Sequence, residues 1–325
     1  MKKMIVFIVL LLCVKALRAQ QDVLFSQYMF NGIYINPAYA GYREQLNVHA
    51  FYRDQWRNFP GAPRTMSAAI DASANNARVG LAFQVMNDQL GAESSTSAYG
   101  SYSYRIPVGD LEKDNRLAIG IGLGFIQYRL DGTKFDPETV IDPSLMYRKK
   151  TVLAPDVKAG IFYNSDRFYA GISVDNLVVQ YVKNKQDPEH YLPDKKMHWY
   201  ATAGMLLPVS EAIQLKPSFL LRDDLAGPTS LDINLFALFV EKLWLGASYR
   251  TAVRLYDKSY LDRSLTKPAA FVVMAEFFIA DKIRLGYAYD LPLNRIGDFH
   301  YSTHEISVGY FFGSRKGKML TPRYF

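Results

Sequence analysis

DKIRLGYAYD, residues 281–290, decides how the chain is to be read. Ile283, Leu285, Tyr287 and Tyr289 alternate with Lys282, Arg284, Gly286, Ala288 and Asp290, so a strand here has one apolar face and one charged or small face. The same period of two runs through RLAIGIGLGF (116–125), where Leu117, Ile119, Ile121, Leu123 and Phe125 oppose Ala118, Gly120, Gly122 and Gly124. It recurs in AIQLKPSFLLR (212–222), where Ile213, Leu215, Phe219 and Leu221 oppose Gln214, Lys216, Ser218 and Arg222. Strands of this kind separate two environments.

Outward from these stretches, period-two runs fall at 45–53, 65–73, 79–86, 93–106, 115–130, 153–163, 167–175, 198–207, 211–221, 230–239, 242–250, 269–278, 282–289 and 303–312, fourteen in all. No helical stretch interrupts them. A soluble double sheet would alternate too, and the connections separate the two readings. After even-numbered runs they are short, as in ANNAR, PVGDLEKDN, NSD, PVSE, VEK and IADK. After odd-numbered runs they lengthen, notably at 131–152, 176–197, 251–268 and 290–302. An even strand count with short turns on one side and long loops on the other predicts an all-β, antiparallel outer-membrane barrel with periplasmic turns and extracellular loops. Lipid cannot satisfy an open sheet edge, so the strands must close on themselves, apolar face outward and polar face toward the lumen. Tyr99, Tyr102, Tyr104, Tyr287 and Tyr289 lie where interfacial aromatic girdles are expected. Two places fit less simply. AAFVVMAEFF (269–278) is apolar on both faces apart from Glu276, and the alternation changes phase after Phe125, which predicts a bulge.

The barrel is expected over 45–312, with a periplasmic tail at 313–325. Ahead of it, Lys2 and Lys3 precede an apolar run from Met4 to Val14 and small residues ending at Ala19, which reads as a signal peptide over 1–19. The run is shorter than the roughly 20 apolar residues of a spanning helix. Leu12 ahead of Cys13 argues against lipoprotein processing. Cleavage removes Lys2, Lys3, Lys15 and Arg18, and taking four positive charges from +7 leaves +3. No Lys/Arg block then remains to argue for nucleic acid. Cys13 is the only cysteine, so the mature chain has no disulfide, thiol nucleophile or cysteine metal site.

Between signal and barrel, residues 20–44 carry no charge from Val23 to Tyr42 and are rich in aromatics. Too aromatic for a disordered leader, the segment is expected to fold back as a cap or plug in the periplasmic mouth. Phe25, Tyr28, Phe30, Tyr34 and Tyr39 would supply buried area, and Asn31 and Asn36 polar partners. Pro37 provides a rigid turn and Gly41 a flexible one.

Catalytic and metal chemistry finds little support. His300 and His304, four apart on a strand, would sit about 13 Å from each other, too far to share a metal, and Glu305 completes no zinc-hydrolase helix. These read as rim or loop polar residues. Asp131, Asp136, Glu138 and Asp142 offer carboxylates for calcium, but the Asp-Pro pairs favour a solvated loop. No nucleophile elbow, phosphate loop or dinucleotide fingerprint occurs, so neither an enzyme nor a cofactor is expected.

DVLFSQYMFNGIYINPAYAG (22–41), followed by FYRDQWRNFPGAPRTMSAAID (51–71), resembles the start of the PorP/SprF family of Bacteroidetes outer-membrane proteins, part of the type IX secretion and gliding machinery. The resemblance implies a barrel that works with periplasmic and outer-membrane secretion components to export, dock or retain a surface protein, adhesin-like, with a C-terminal sorting domain. The residues add a surface for it. DQWRNFPGAPR would be the first outward loop, made stiff and apolar by Trp56, Arg57, Phe59, Pro60 and Pro63, unless Trp56 and Phe59 merely pack the barrel rim. The alternative function is a passive porin or hydrophobic-solute transporter.

Overall fold

The computed structural model describes residues 25–109, 115–134, 149–182, 195–258, 261, 267–279, 282–294, 297–299 and 301–312. The expected signal peptide, the tail, His300, and Asp136, Glu138 and Asp142 of the carboxylate loop lie outside the described residues.

The strands are β1 Asn47–Asp54, β2 Arg64–Ala74, β3 Val79–Leu90, β4 Glu93–Pro107, β5 Arg116–Asp131, β6 Lys149–Asn164 and β7 Phe168–Asp175. Then come β8 His198–Met205, continued by Leu207–Pro208, β9 Ile213–Asp223, β10 Thr229–Phe239, β11 Leu243–Val253, β12 Pro268–Ile279, β13 Ile283–Pro292 and β14 Thr303–Phe311. Each strand pairs antiparallel with its neighbours in sequence, and β14 pairs with β1 from His304↔Asp54 to Phe311↔Asn47. The sheet is therefore a closed fourteen-stranded barrel.

Closure leaves two kinds of end. Connections 75–78, 165–167, 209–212 and 240–242 are tight turns at one end, called here the short-turn end. At the long-loop end the connections include 132–148, 176–197 and 254–267. The rule of long loops has two exceptions. Gly91 and Ala92 alone join β3 to β4, because β3 runs on to Leu90 rather than ending near 86, and residues 224–228 form a compact turn.

Outward positions carry the apolar band: Leu81, Phe83, Ile119, Ile121, Leu123, Ile161, Ile172, Ile233, Leu285 and Ile306 are all exposed. Inward positions carry Arg53, Asp71, Lys158, Lys216, Asp232, Glu276, Arg284, Asp290 and Glu305, all buried. The two-faced reading of β12 resolves in this frame. Phe271, Val273 and Phe277 face lipid, whereas Ala270, Val272, Met274 and Phe278 face inward and join a hydrophobic cluster inside the lumen.

The bulge expected after Phe125 is absent. β5 keeps unbroken register with both neighbours, from Arg116↔Pro107 to Leu130↔Glu93 and on to Asp131↔Lys149. What inverts is composition, not geometry: beyond Phe125 the outward residues are Gln127 and Arg129, while Ile126, Tyr128 and Leu130 are buried inside. The strand has left the apolar band and its inner face packs on protein. The irregularities lie elsewhere, at Leu206 between the two parts of β8 and at Arg250/Thr251 in β11.

Candidate functional site

Residues 25–42 are all buried apart from half-buried Gly32, because they run through the barrel lumen. Three single 3-10 turns build the segment: Tyr28–Phe30, Gly32–Tyr34 and Pro37–Tyr39. Asn31 starts the second, its side chain accepting from the Ile33 N–H, and Asn36 starts the third, accepting from the Ala38 N–H at 2.9 Å. Pro37 at the first helical position brings a preset φ and no surplus donor. Two asparagine caps thus let a segment without regular structure bury its backbone.

The segment, expected at the mouth, penetrates much further. Its Gly41 end is near the short turns: the Gly41 carbonyl accepts from Arg105 at 2.5 Å, and Glu44 pairs with Arg116. Gly41 has φ +70, and a Cβ there would press on Gly80 and the Ala72 carbonyl. Its other end reaches toward the long loops. The Glu305 carboxylate, three residues into β14, accepts the Ser26 and Gln27 N–H groups at 2.8 Å each. Ser26 Oγ donates to Asp290 at 2.7 Å, and Arg53 bridges Asp290 and Glu305 at 2.8 and 2.9 Å. Arg250, bound by Asp232, closes the network at 3.9 Å from Asp290. Glu305 is therefore no rim residue but a fully buried grip on the segment, and only His304 beside it, bonded to the Tyr287 hydroxyl, meets the outside.

Between these ends the two halves of the segment are held differently. Asn36–Gly41 lies flat on the wall. Cβ atoms at Gly80 and Gly120 would overlap the Ala40 and Ala38 main chain, so only glycine lets the two backbones approach there, while Gly160 and Gly171 leave room for the Asn36 amide. Asn36 Nδ2 donates to the Ile161 and Ile172 carbonyls at 3.0 and 3.4 Å, and Ser103 and Ser173 donate to the Ala40 and Ile35 carbonyls at 2.7 Å each. Residues 25–35 instead meet side chains. Phe25 stacks on Phe51 with centroids 4.9 Å apart, and Phe30 meets Phe236 edge-on at 5.5 Å. Tyr28, Met29 and Phe30 share a cluster with Trp244, Leu220, Met274 and Phe278. Arg43 and Arg284 both donate to the Phe30 carbonyl, with His49 between them. Each fully buried aromatic contributes about 1.5–3 kcal/mol, so the segment is an integral plug. The cavity left beside it, lined by Tyr28, Asn36, Tyr39, Phe162, Tyr169 and Lys216, is about 40 Å³, room for little more than water.

A second piece closes the lumen above the plug. After β7 the chain turns inward, where Asp156 accepts the Val178 and Val179 N–H groups at 3.2 and 3.1 Å and the Tyr99 hydroxyl at 2.8 Å. Val179 packs against Tyr99, Ile126, Tyr128 and Ala154.

At the long-loop end the sequence-predicted patch divides. Pro63 is buried and Trp56 half-buried, whereas Arg57, Phe59 and Pro60 are exposed. The loop is ordered by its own bonds, Phe59 N–H to the Trp56 carbonyl at 3.0 Å and Gln55 N–H to the Pro63 carbonyl at 3.0 Å. It leans on the start of β14, with Arg57 N–H to the Ser302 carbonyl at 2.8 Å and Phe59 edge-on to Tyr301 at 5.4 Å. Across the mouth, Lys258 donates to both Asp223 oxygens at 3.0 Å and to the Gly227 carbonyl at 2.6 Å, joining two loops. Burial disfavours the Lys258 ammonium, but its bonds to Asp223 and Tyr256 outweigh this and hold its pKa above the ordinary lysine value. Asp131, from the proposed carboxylate loop, accepts from Thr133 at 2.6 Å.

Comparison with known proteins adds identity to this geometry. No curated protein matches the sequence. Among solved structures the chain is similar to the Acinetobacter baumannii outer membrane protein Omp33, at 9% identity and TM-score 0.47 over 83% of this chain and 98% of that one. It is also similar to a Pseudomonas aeruginosa FadL homologue, at 11% identity and TM-score 0.44 over 92% and 96%. Residues 17–310 match the family described as type IX secretion system membrane protein PorP/SprF. Nearly the whole chain, plug and closed barrel together, is thus that of an outer-membrane protein, and it belongs to the PorP/SprF family of the type IX secretion system.

Proposed function

We propose that this protein is a plugged docking barrel: it holds an exported surface protein, through that protein's C-terminal sorting domain, at the long-loop face, and performs no catalysis. The observation that carries this reading is the seating of residues 25–44 in the lumen, backbone against backbone at Gly80 and Gly120. A passage for solutes needs open lumen, and this lumen is occupied from the Glu305 level to the short turns. Recognition then falls to the outer rim, where Arg57, Phe59 and Pro60 stand exposed on a loop held by Tyr301 and Ser302. An aromatic and an arginine on a preordered loop are the residue types that anchor interfaces, because little conformational entropy is lost on binding. The inner end, with residues 40–44 at the short turns, is the side available to periplasmic secretion components.

The test joins two measurements. Purified protein in planar bilayers should show no steady conductance, and affinity capture from detergent-solubilised outer membrane should bring down a protein with a sorting domain. Capture should fall at least tenfold in the double variant Arg57→Ala, Phe59→Ala while the heat-modifiable barrel persists. A steady open pore with no captured client would overturn the reading in favour of a porin or hydrophobic-solute transporter.

A further inference from the structure

Among the described residues the plug begins at Phe25, and the surroundings of that residue limit where the chain ahead of it can go. The Phe25 ring stacks on Phe51 at 4.9 Å and meets Tyr34 edge-on at 5.3 Å. Both belong to one cluster with Ile33, Ala38, Tyr39 and Tyr42, so the way back toward the short turns is taken by the plug itself. Ser26 and Gln27, the next residues, are fixed to Glu305 near the long-loop end. The chain ahead of Phe25 therefore leads to the long-loop mouth.

On that route the wall of β2–β4 offers a bed. Met86 of β3 packs against the cluster that holds Phe25. Around Met86 the inward positions are polar: Thr65 and Ser67 on β2, Gln84 and Asp88 on β3, Ser95 and Ser97 on β4. Gln84 is 6% exposed, yet its Oε1 has no hydrogen-bond partner among the described residues. A buried amide oxygen without a donor is costly, so this strip has the chemistry of a seat for a segment bearing N–H groups.

We propose that residues 20–24, QQDVL, are that segment: they lie along the strip, a main-chain N–H meeting Gln84 Oε1, and carry the amino terminus left by removal of residues 1–19 to the long-loop mouth. The residue types match. Val23 and Leu24 fall beside Met86, and Gln20, Gln21 and Asp22 beside the hydroxyls of Thr65, Ser95 and Ser97. The lengths match as well. From Met86 to the end of β3 at Leu90 is about 13 Å at roughly 3.3 Å per residue, and five extended residues span up to about 17 Å, so the terminus arrives at the lip. The threading sets a condition, since an unprocessed chain would push the apolar run from Met4 to Val14 out of the mouth into water. The inference does not depend on what docks at the long-loop face.

The mature chain lacks cysteine, which makes the test direct. Gln21→Cys in the full-length protein should react with a membrane-impermeant maleimide on intact cells, in step with Gln89→Cys at the long-loop end of β3. Ser210→Cys, in a short turn, should react at least tenfold less until the outer membrane is permeabilised. If Gln21→Cys is not processed, Asp22→Cys takes its place. Separately, the pair Val23→Cys, Ser97→Cys should cross-link on mild oxidation in at least half of the molecules, and the pair Val23→Cys, Ser210→Cys should not. Labelling of the terminal cysteine only after permeabilisation, in step with Ser210→Cys, would overturn the proposal. If the terminal cysteine is shielded on both sides, the cross-link decides: its formation supports the seat, and its absence would overturn it.

Discussion

The two halves of the plug use opposite means of attachment. From Asn36 to Gly41 the plug packs on wall glycines, main chain to main chain at Gly80 of β3 and Gly120 of β5, and through the Asn36 amide at Gly160 of β6 and Gly171 of β7. From Phe25 to Phe30 it meets large or charged inward residues of β10–β14 and β1, among them Phe51, Phe236, Arg284, Asp290 and Glu305. The first kind of contact has no give, since a backbone cannot choose another rotamer. The second can repack. The short-turn half is therefore the fixed end of the plug, and the half beneath the long loops is the end whose stability can be tuned one side chain at a time.

Substitutions can break that contrast. Gly80→Leu and Gly120→Leu should each be the most damaging, at about 3 kcal/mol or more, because overpacking against main chain has no relaxed alternative. The heat-modifiable species should fall by a hundredfold or more, and near-normal assembly would show that the plug can slide. Glu305→Ala removes the acceptor of two plug N–H groups and one partner of Arg53, costing about 2–3 kcal/mol. Its effect should be local. Hydrogen exchange should accelerate at 25–30 and stay unchanged at 36–41, and uniform acceleration would merge the two halves into one unit. Asn36→Ala loses a cap and two carbonyl contacts, about 2 kcal/mol, with the opposite pattern, exposing 36–41 first. Phe236→Leu, on the adaptable wall, should cost about 1–1.5 kcal/mol and leave both exchange patterns in place.

The barrel was legible because lipid imposes a strict alternation. DKIRLGYAYD shows it without ambiguity, and strand ends drift mainly where strands outrun the band, as β3 does to Leu90 and β6 does back to Lys149. The change after Phe125 misled for the same reason, since a strand leaving lipid swaps the chemistry of its faces without slipping. The plug was legible as a segment, through its missing charges and its aromatics, but its depth was not. Depth is fixed by contacts such as Glu305 with Ser26, 279 residues apart, and no local pattern records them. One signal was present unread: Gly80 and Gly120 stand on the inward phase of their strands, and glycine there marks another backbone close by.

The grip of Glu305 on Ser26 and Gln27 also has a meaning in time. Arg53 on the first strand reaches the same carboxylate and the same serine, at 2.9 and 2.8 Å, so plug, first strand and last strand meet at one point on the seam. Loop closure across so much of the chain is among the slowest steps available to a folding polypeptide. Until the last strand arrives, two N–H groups of the plug and the guanidinium of Arg53 lack their shared acceptor, and once it arrives all three are satisfied together. The seam thus doubles as a completeness check, because a chain that stops short of β14 lacks both the strand that shuts the wall and the acid that fastens what the wall encloses.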